Sequence, residues 1–396
     1  MNQYVTGTVI KELREKDKMT QFQLAEKLGV SDKTVSKWET GKGYPDITLL
    51  EPIAKVFRIS VTELISGSTI HNANVSANML RSMFHKYEGN WKRRQICCLD
   101  RRQSVMDNTT AKVSCFARAY HFENNKTHIF ADSMAARLLG DDYDHIAESM
   151  MQGINFFLPG FDGTKEEGLR LIVDKQLSPS VLGRSAYCEK KLLDEIATGC
   201  GQYLIFASGY DTFSLRNENA AVQVYEIDLP DLMDDKRKRI DNVGLKMAAK
   251  YVPRDLADES WVEKLLEKGF MTSEKSYGSL LGISYYLEKD EWKKLIRLVA
   301  GIMPAGSAIC FDFPSTDESK ETKVNKTLAS GAGEQMKAQY PFEEMEVLLF
   351  ECGFKVAEHL GAEGMTERFF ADYNRSMPEH PMAAPVGVDY VFAVRE

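Results

Sequence analysis

Residues 21–39 constrain this chain more tightly than any other stretch. Gln21-Phe22-Gln23-Leu24-Ala25-Glu26-Lys27-Leu28-Gly29-Val30-Ser31 runs directly into Asp32-Lys33-Thr34-Val35-Ser36-Lys37-Trp38-Glu39. Leu24, Ala25 and Leu28 share one face of a helical period, and Val35 and Trp38 share the inner face of a second. Between them Gly29 tolerates the left-handed backbone of a tight turn, and Thr20 and Ser31 are residue types that cap helix starts. The pattern predicts helix, turn, helix, with Asp32, Lys33, Ser36 and Lys37 facing outward. A short polar helix with exposed N-terminal residues has the shape that enters a DNA major groove.

The segment closely resembles the phage-repressor (Cro-like) helix-turn-helix family over residues 8–66. The resemblance includes the Gly41-Lys42-Gly43-Tyr44-Pro45 loop, the Thr48-Leu49-Leu50-x-x-Ile53-Ala54 helix and the terminal Val61-x-x-Leu64-Ile65. It implies a five-helix, all-α domain over residues 1–67 that binds double-stranded DNA. Gln21 would meet a phosphate, Lys33 and Lys37 would reach base edges or phosphates, and Asp32 would accept from cytosine. Ser31, Thr34 and Ser36 complete the DNA-facing set, while Trp38 belongs to the core. Side-chain identity here constrains the operator without fixing it.

Such a module uses only a small part of 396 residues, and a length of this size allows two or three domains at about 100 to 200 residues each. The stretch from Ser66 to Ser76 is polar, rich in small residues and aperiodic, so residues 68–78 are read as a linker. The remaining residues, 79–396, are enough for a full enzyme core. With 43% hydrophobic and 27% charged residues, the chain has the make-up of a folded protein rather than a disordered one.

A formal net charge of −8 makes the chain as a whole repel DNA. Any DNA affinity must therefore come from local lysines and from pairing two modules on one site, so a homodimer is expected. The seven cysteines are scattered, and the neighbours Cys97 and Cys98 have no second pair to complete a metal site, so no metal is expected. The N-terminus, Met1-Asn2-Gln3-Tyr4, lacks a basic-then-apolar leader, and no run approaches the roughly 18 apolar residues of a membrane span. A cytoplasmic protein is expected.

Past the linker, apolar runs alternate with amphipathic helical stretches, which predicts an α/β doubly wound parallel sheet. The first strand is read at residues 202–207, ending in the small-residue turn Ser208-Gly209-Tyr210-Asp211-Thr212. The second is read at residues 222–227, with acidic Glu226 near its end and Asp228-Leu229-Pro230 after it. Ligands of such sheets bind outside the carboxyl ends of the strands, where an acidic side chain can accept both hydroxyls of a ribose.

The pairing of Ala207-Ser208-Gly209-Tyr210-Asp211-Thr212 with Tyr225-Glu226-Ile227-Asp228-Leu229-Pro230 resembles the leucine carboxyl methyltransferase family. Matching stretches include residues 108–119, Ile129-Phe130-Ala131-Asp132-Ser133-Met134-Ala135, Leu182-Gly183-Arg184-Ser185 opening a helix, Val252-Pro253-Arg254-Asp255-Leu256, the strand from Tyr277 to Leu287, and the closing residues 388–394. The resemblance implies the class I fold, with a Rossmann-like, seven-stranded core over residues 181–396 and a helical cap over 79–180. It also implies the cofactor S-adenosylmethionine.

Carried over residue by residue, the family pattern has Arg184 pair with the cofactor's carboxylate, Gly209 lie beside the ligand and Glu226 hold the ribose. Asp255 and Leu256 would meet the adenine, with Asp211 and Asp228 in the same binding set. Two positions depart from the family. Ala207 stands where glycine is usual, and Leu281, in the fourth strand, stands where glutamate is usual, so a hydrogen bond to the methionine ammonium is lost there.

His121, His128 and His145 lie in the cap and none is assigned a catalytic role. Methyl transfer to an oxygen or carboxyl of a small molecule, coupled to transcription regulation, is the leading reading. A regulator that senses S-adenosylmethionine or another ligand without turnover is the alternative.

Overall fold

The structure, a computed structural model, describes residues 3–40, 45, 47–57, 108–158, 160–217, 221–316 and 337–396. These fall into two compact units, one within residues 3–57 and the other within 108–396.

Among the described residues four helices build the first unit: α1 (Gln3–Lys16), α2 (Gln21–Leu28), α3 (Asp32–Glu39) and α4 (Ile47–Phe57). Thr20 caps α2 in a reciprocal capping box with Gln23, Gly29 ends that helix at φ +66°, and the Ser31 hydroxyl accepts from the Thr34 amide to start α3. Leu24, Val35, Trp38 and Ile53 close the core with Ile10 and Phe57. Each such burial stabilises by about 1.5–3 kcal/mol, which is how so short a segment holds its helices together. The expected fifth helix near Val61–Ile65, most of the loop at 41–44 and the linker at 68–78 lie outside the described residues, as do Cys97 and Cys98.

The second unit begins with a helical cap: α5 (Thr109–Asn124), α6 (Ala135–Leu139), α7 (Asp142–Gln152), α8 (Ile154–Phe157) and α9 (Lys165–Ile172). A π-turn at Val173–Leu177 leads into α10 (Ser178–Ala197). The core then alternates as β1 (Gln202–Phe206), α11 (Phe213–Arg216), β2 (Gln223–Asp228), α12 (Pro230–Asn242), β3 (Lys250–Pro253), α13 (Trp261–Glu267), β4 (Ser276–Leu280), α14 (Lys289–Ile302), β5 (Ala308–Pro314), α15 (Phe342–Glu351) and β6 (Phe354–Leu360). It closes with short helical turns and β7 (Val388–Arg395).

The seven strands lie in the order β3-β2-β1-β4-β5-β7-β6, all parallel except β7. β1, β4 and β5 are buried at every residue, as strands covered on both faces must be. On one face α14 inserts Trp292, Leu295, Ile296 and Val299 against Phe311 and Ile309 of β5. The strand order reverses between β1 and β4, and this opens a crevice at the carboxyl end of the sheet.

Three expected boundaries shift. Ala207 lies past the end of β1, because its φ of +48° leaves the extended region. Leu281 lies past β4 in a turn rather than in the strand, and residues 284–286 form a short 3₁₀ turn. Arg184 does not open a helix, since α10 already starts at Ser178. The expected division between cap and core at 180/181 therefore falls inside one continuous helix.

Candidate cofactor site and DNA-facing helix

The ends of four neighbouring strands place most of the expected cofactor residues along one edge. β3 delivers Asp255, β2 delivers Asp228, β1 delivers Ala207 and Gly209, and β4 delivers Leu281 and Gly282. Three strand spacings make this row about 14 Å long, room for an extended nucleoside with an amino-acid tail. Gly209 adopts φ +50°, and its amide donates to the Asp228 carboxylate at 2.7 Å, which joins the turn after β1 to the tip of β2. Burial pushes the Asp228 carboxyl up from its ordinary value, against the pull of the Gly209 and Leu229 amides. The Ser208 hydroxyl, buried in the same turn, has no hydrogen-bond partner among the described residues. A cradle with an unpaired hydroxyl, a left-handed glycine and an acidic strand tip fits a ribose-bearing cofactor.

Glu226 is not part of that edge. It is fully enclosed, accepting from the Ser214 hydroxyl at 3.0 Å and from the Lys236 ammonium at 2.5 Å, with Lys236 equally enclosed. Burial pushes its carboxyl up even with that ammonium against it. Both oxygens are engaged and the whole side chain is enclosed, whereas Asp228, two residues on and on the same strand face, stands partly exposed at the strand tip, its oxygens accepting from the Gly209 and Leu229 amides. Asp211 accepts from the Phe213 amide at 2.7 Å, two residues on, in the turn just ahead of α11. Asp255 is exposed at the tip of β3, and Leu256 beside it packs against the core.

Arg184 approaches from α10. Its Nη1 lies 3.4 Å from the Asp312 carboxylate of β5, and a methyl group on Gly282 would sit 2.8 Å from the same nitrogen. Gly282, at φ +69°, thus leaves room for the guanidinium and takes a backbone shape that other residues resist. Asp312 is fully enclosed and also accepts from the Gly282 amide at 2.7 Å and the Tyr285 hydroxyl at 2.8 Å.

A second network fixes the cofactor turn to the cap. Arg118 of α5 donates to Asp132 at 2.8 Å and to the Tyr210 carbonyl at 2.7 Å, while the Thr212 hydroxyl donates to Asp132 at 2.7 Å. Burial alone would push the Asp132 carboxyl up, but Arg118 and Arg216 hold it below its ordinary value. Arg216 in turn grips Glu189 of α10 with two bonds of 3.0 and 2.7 Å. His121 is fully buried, accepts from the Ile129 amide at 2.9 Å, and is lowered to a pKa of about 3 by burial, with the neighbouring His128 and Arg170 adding to the shift. A structural acceptor of this kind is no general base.

In the first unit, Ser31, Asp32, Lys33 and Lys37 are exposed, and Thr34 and Ser36 half-buried. Lys33 and Lys37, one turn apart, point the same way. Ser31 and Thr34 spend their hydroxyls on the cap. Gln21 donates to Glu39 at 2.7 Å, and Arg14 donates to the same carboxylate at 2.6 and 3.0 Å. That junction ties α1 and α2 to α3 and leaves Gln21 half-buried with its side-chain amide engaged.

Residues 111–300 match the model of the leucine carboxyl methyltransferase family, and residues 10–64 match a helix-turn-helix model. The chain is 32% identical over 303 residues to YktD of Bacillus subtilis, named as an S-adenosyl-L-methionine-dependent methyltransferase; the match covers 72% of this chain and 97% of that protein. The second unit belongs to this methyltransferase family. A methyltransferase relative from Mycobacterium avium is 28% identical over 186 residues, 46% of this chain and 61% of that protein. The first unit is 46% identical over 61 residues to the HTH-type transcriptional activator BcrR of Enterococcus faecalis, 15% of this chain and 30% of that protein. The protein is thus an S-adenosylmethionine-dependent methyltransferase carrying a helix-turn-helix DNA-binding module.

Two buried residues outside the expected set engage members of it, Asp312 holding Arg184 and Lys236 holding Glu226. Asp312 is a single charge inside the otherwise apolar strand Ala-Ile-Cys-Phe-Asp-Phe-Pro, a signal that was available. Lys236 gave none, because it sits in the highly charged run Asp234-Asp235-Lys236-Arg237-Lys238-Arg239. Among the described residues no helix is long and apolar enough to cross a membrane, and no cluster of His, Cys, Asp or Glu is placed to hold a metal ion.

Proposed function

We propose that the second unit methylates an oxygen or carboxyl of a small molecule, and that the first unit couples this activity to transcription as part of a cytoplasmic homodimer on DNA. The observation that carries the cofactor assignment is the joined turn, with the Gly209 amide after β1 bonded to Asp228 at the tip of the neighbouring strand β2. S-adenosylmethionine supplies a methyl group already activated on a sulfonium. The protein's part is positioning and exclusion of water. Asp228 would take the ribose hydroxyls, Arg184 the carboxylate, and Asp255 with Leu256 the adenine, while the cap helices close over the acceptor. A carboxylate acceptor needs no general base, in keeping with a cap whose buried histidine is held neutral.

Calorimetry with S-adenosylhomocysteine on the full chain tests the site. Asp228→Ala and Arg184→Ala are each expected to lower affinity about tenfold or more, the worth of a charge-assisted hydrogen bond. Unchanged affinity in both would move the cofactor elsewhere.

For the first unit, Lys33 and Lys37 are the cations that α3 presents, and Lys37→Ala is expected to weaken binding to duplex sequences enriched from a random pool. No enrichment at low salt would remove the DNA reading. Sensing of S-adenosylmethionine without turnover is the second reading. It is favoured by the two departures at the cofactor edge, the strained Ala207 and the apolar Leu281.

A further inference from the structure

We infer that Asp312 is the positioning residue for the amino-acid end of the cofactor, acting through Arg184. The inference rests on the cofactor site proposed above. A lone carboxylate inside a fully buried strand is costly unless it is paired and hydrogen-bonded on all sides. Asp312 meets that condition with three partners that all belong to the turn after β4 or to α10: the Gly282 amide, the Tyr285 hydroxyl and the Arg184 guanidinium.

None of these contacts is needed to build the sheet, since β5 is held to β4 and β7 by its own backbone ladder. They converge instead on the turn after β4, beside Arg184 of α10. Asp312 is completely enclosed, so it does not itself touch a ligand. The Arg184 side chain is 18% exposed and reaches Asp312 through a single nitrogen at 3.4 Å. That end-on contact orients the guanidinium, and among the described residues no other hydrogen bond engages its remaining N–H groups, which suit a two-pronged grip on a second carboxylate. Gly282, pinned by the same Asp312, clears the space the guanidinium occupies. The arrangement reads the carboxylate of the cofactor's tail and is indifferent to its nucleoside.

Two ligands separate this role from a structural one: S-adenosylhomocysteine, which has the amino-acid tail, and 5′-methylthioadenosine, which lacks it. Calorimetry on the full chain is expected to show Asp312→Asn lowering affinity for S-adenosylhomocysteine about tenfold while 5′-methylthioadenosine stays within about twofold. Tyr285→Phe removes one donor from Asp312 and keeps the aromatic packing, so it remains informative even if Asp312→Asn fails to fold. It is expected to lower S-adenosylhomocysteine affinity about threefold, with 5′-methylthioadenosine unaffected.

Equal losses for both ligands, no loss for either, or tighter S-adenosylhomocysteine binding from an unleashed Arg184 would each overturn the assignment. If the unaltered protein binds neither ligand, it is the cofactor site itself that fails.

Discussion

Ala207 carries a strain that can be measured. It has φ +48°, a left-handed backbone that costs a residue with a Cβ about 1–2 kcal/mol, and it is exposed, so its methyl group contributes little burial in return. Ala207→Gly removes that strain but gives the unfolded chain more freedom, a loss of about 0.4–1 kcal/mol. The balance is a gain of about 0.8 kcal/mol, within a range of about 0 to 1.6 kcal/mol. For a unit of this size that corresponds to a rise in Tm of about 2–3 °C.

Gly209→Ala is the matched control, since Gly209 holds φ +50° and a Cβ there would meet Ala111 at an ordinary 3.4 Å. Backbone strain is then the main change, and the sign should invert. Differential scanning calorimetry of both variants on the full chain, with S-adenosylhomocysteine titrations in parallel, makes the comparison. Ala207→Gly is expected to melt higher and bind more tightly, and Gly209→Ala to melt lower. A lower Tm for Ala207→Gly, or shifts of the same sign for both, would refute the assignment of strain to Ala207.

Gly282→Ala adds left-handed strain and drives a methyl group into the Arg184 guanidinium, so S-adenosylhomocysteine affinity is expected to fall about tenfold by calorimetry; retention of full affinity would count against the Arg184 pose. Lys236→Met leaves Glu226 buried without its ammonium and is expected to cost about 3–5 kcal/mol in denaturant unfolding, most of it recovered when Glu226→Gln is added; a near-neutral single variant would contradict the buried pair. His121 has its folded pKa depressed to about 3 from 6.5, so its contribution to stability is present above pH 6.5 and is lost as pH falls toward 3. Urea titrations of the unaltered protein should therefore show a falling midpoint across that window, and His121→Gln should flatten the slope by up to about 1.4 kcal/mol per pH unit.

The helix-turn-helix was legible because its signals are local. Periodic Leu24, Ala25, Leu28, Val35 and Trp38, the capping residues Thr20 and Ser31, and the turn at Gly29 all act within a few residues of one another. The sheet was legible at the level of its apolar runs, and the error came at their ends. Glu226 and Asp228 stand on one face of one strand, and choosing which reaches the edge requires knowing where β2 stops. That point is set by pairing with β3, where Asp228 lies opposite Pro253, a long-range fact absent from either segment alone. Lys236, which claims Glu226, comes from a helix ten residues away, and its burial depends on how α12 docks. The apolar run continuing past Leu280 predicts a strand through Leu281, whereas the positive φ of Gly282 turns the chain away.

Transfer of label from methyl-labelled S-adenosylmethionine to the small-molecule fraction of a metabolite extract, by the full chain, tests the central claim most directly. Labelled product is expected, dependent on Arg184 and Asp228. No label in any component, together with a change in operator affinity when S-adenosylmethionine is added, would contradict catalysis and leave a sensor.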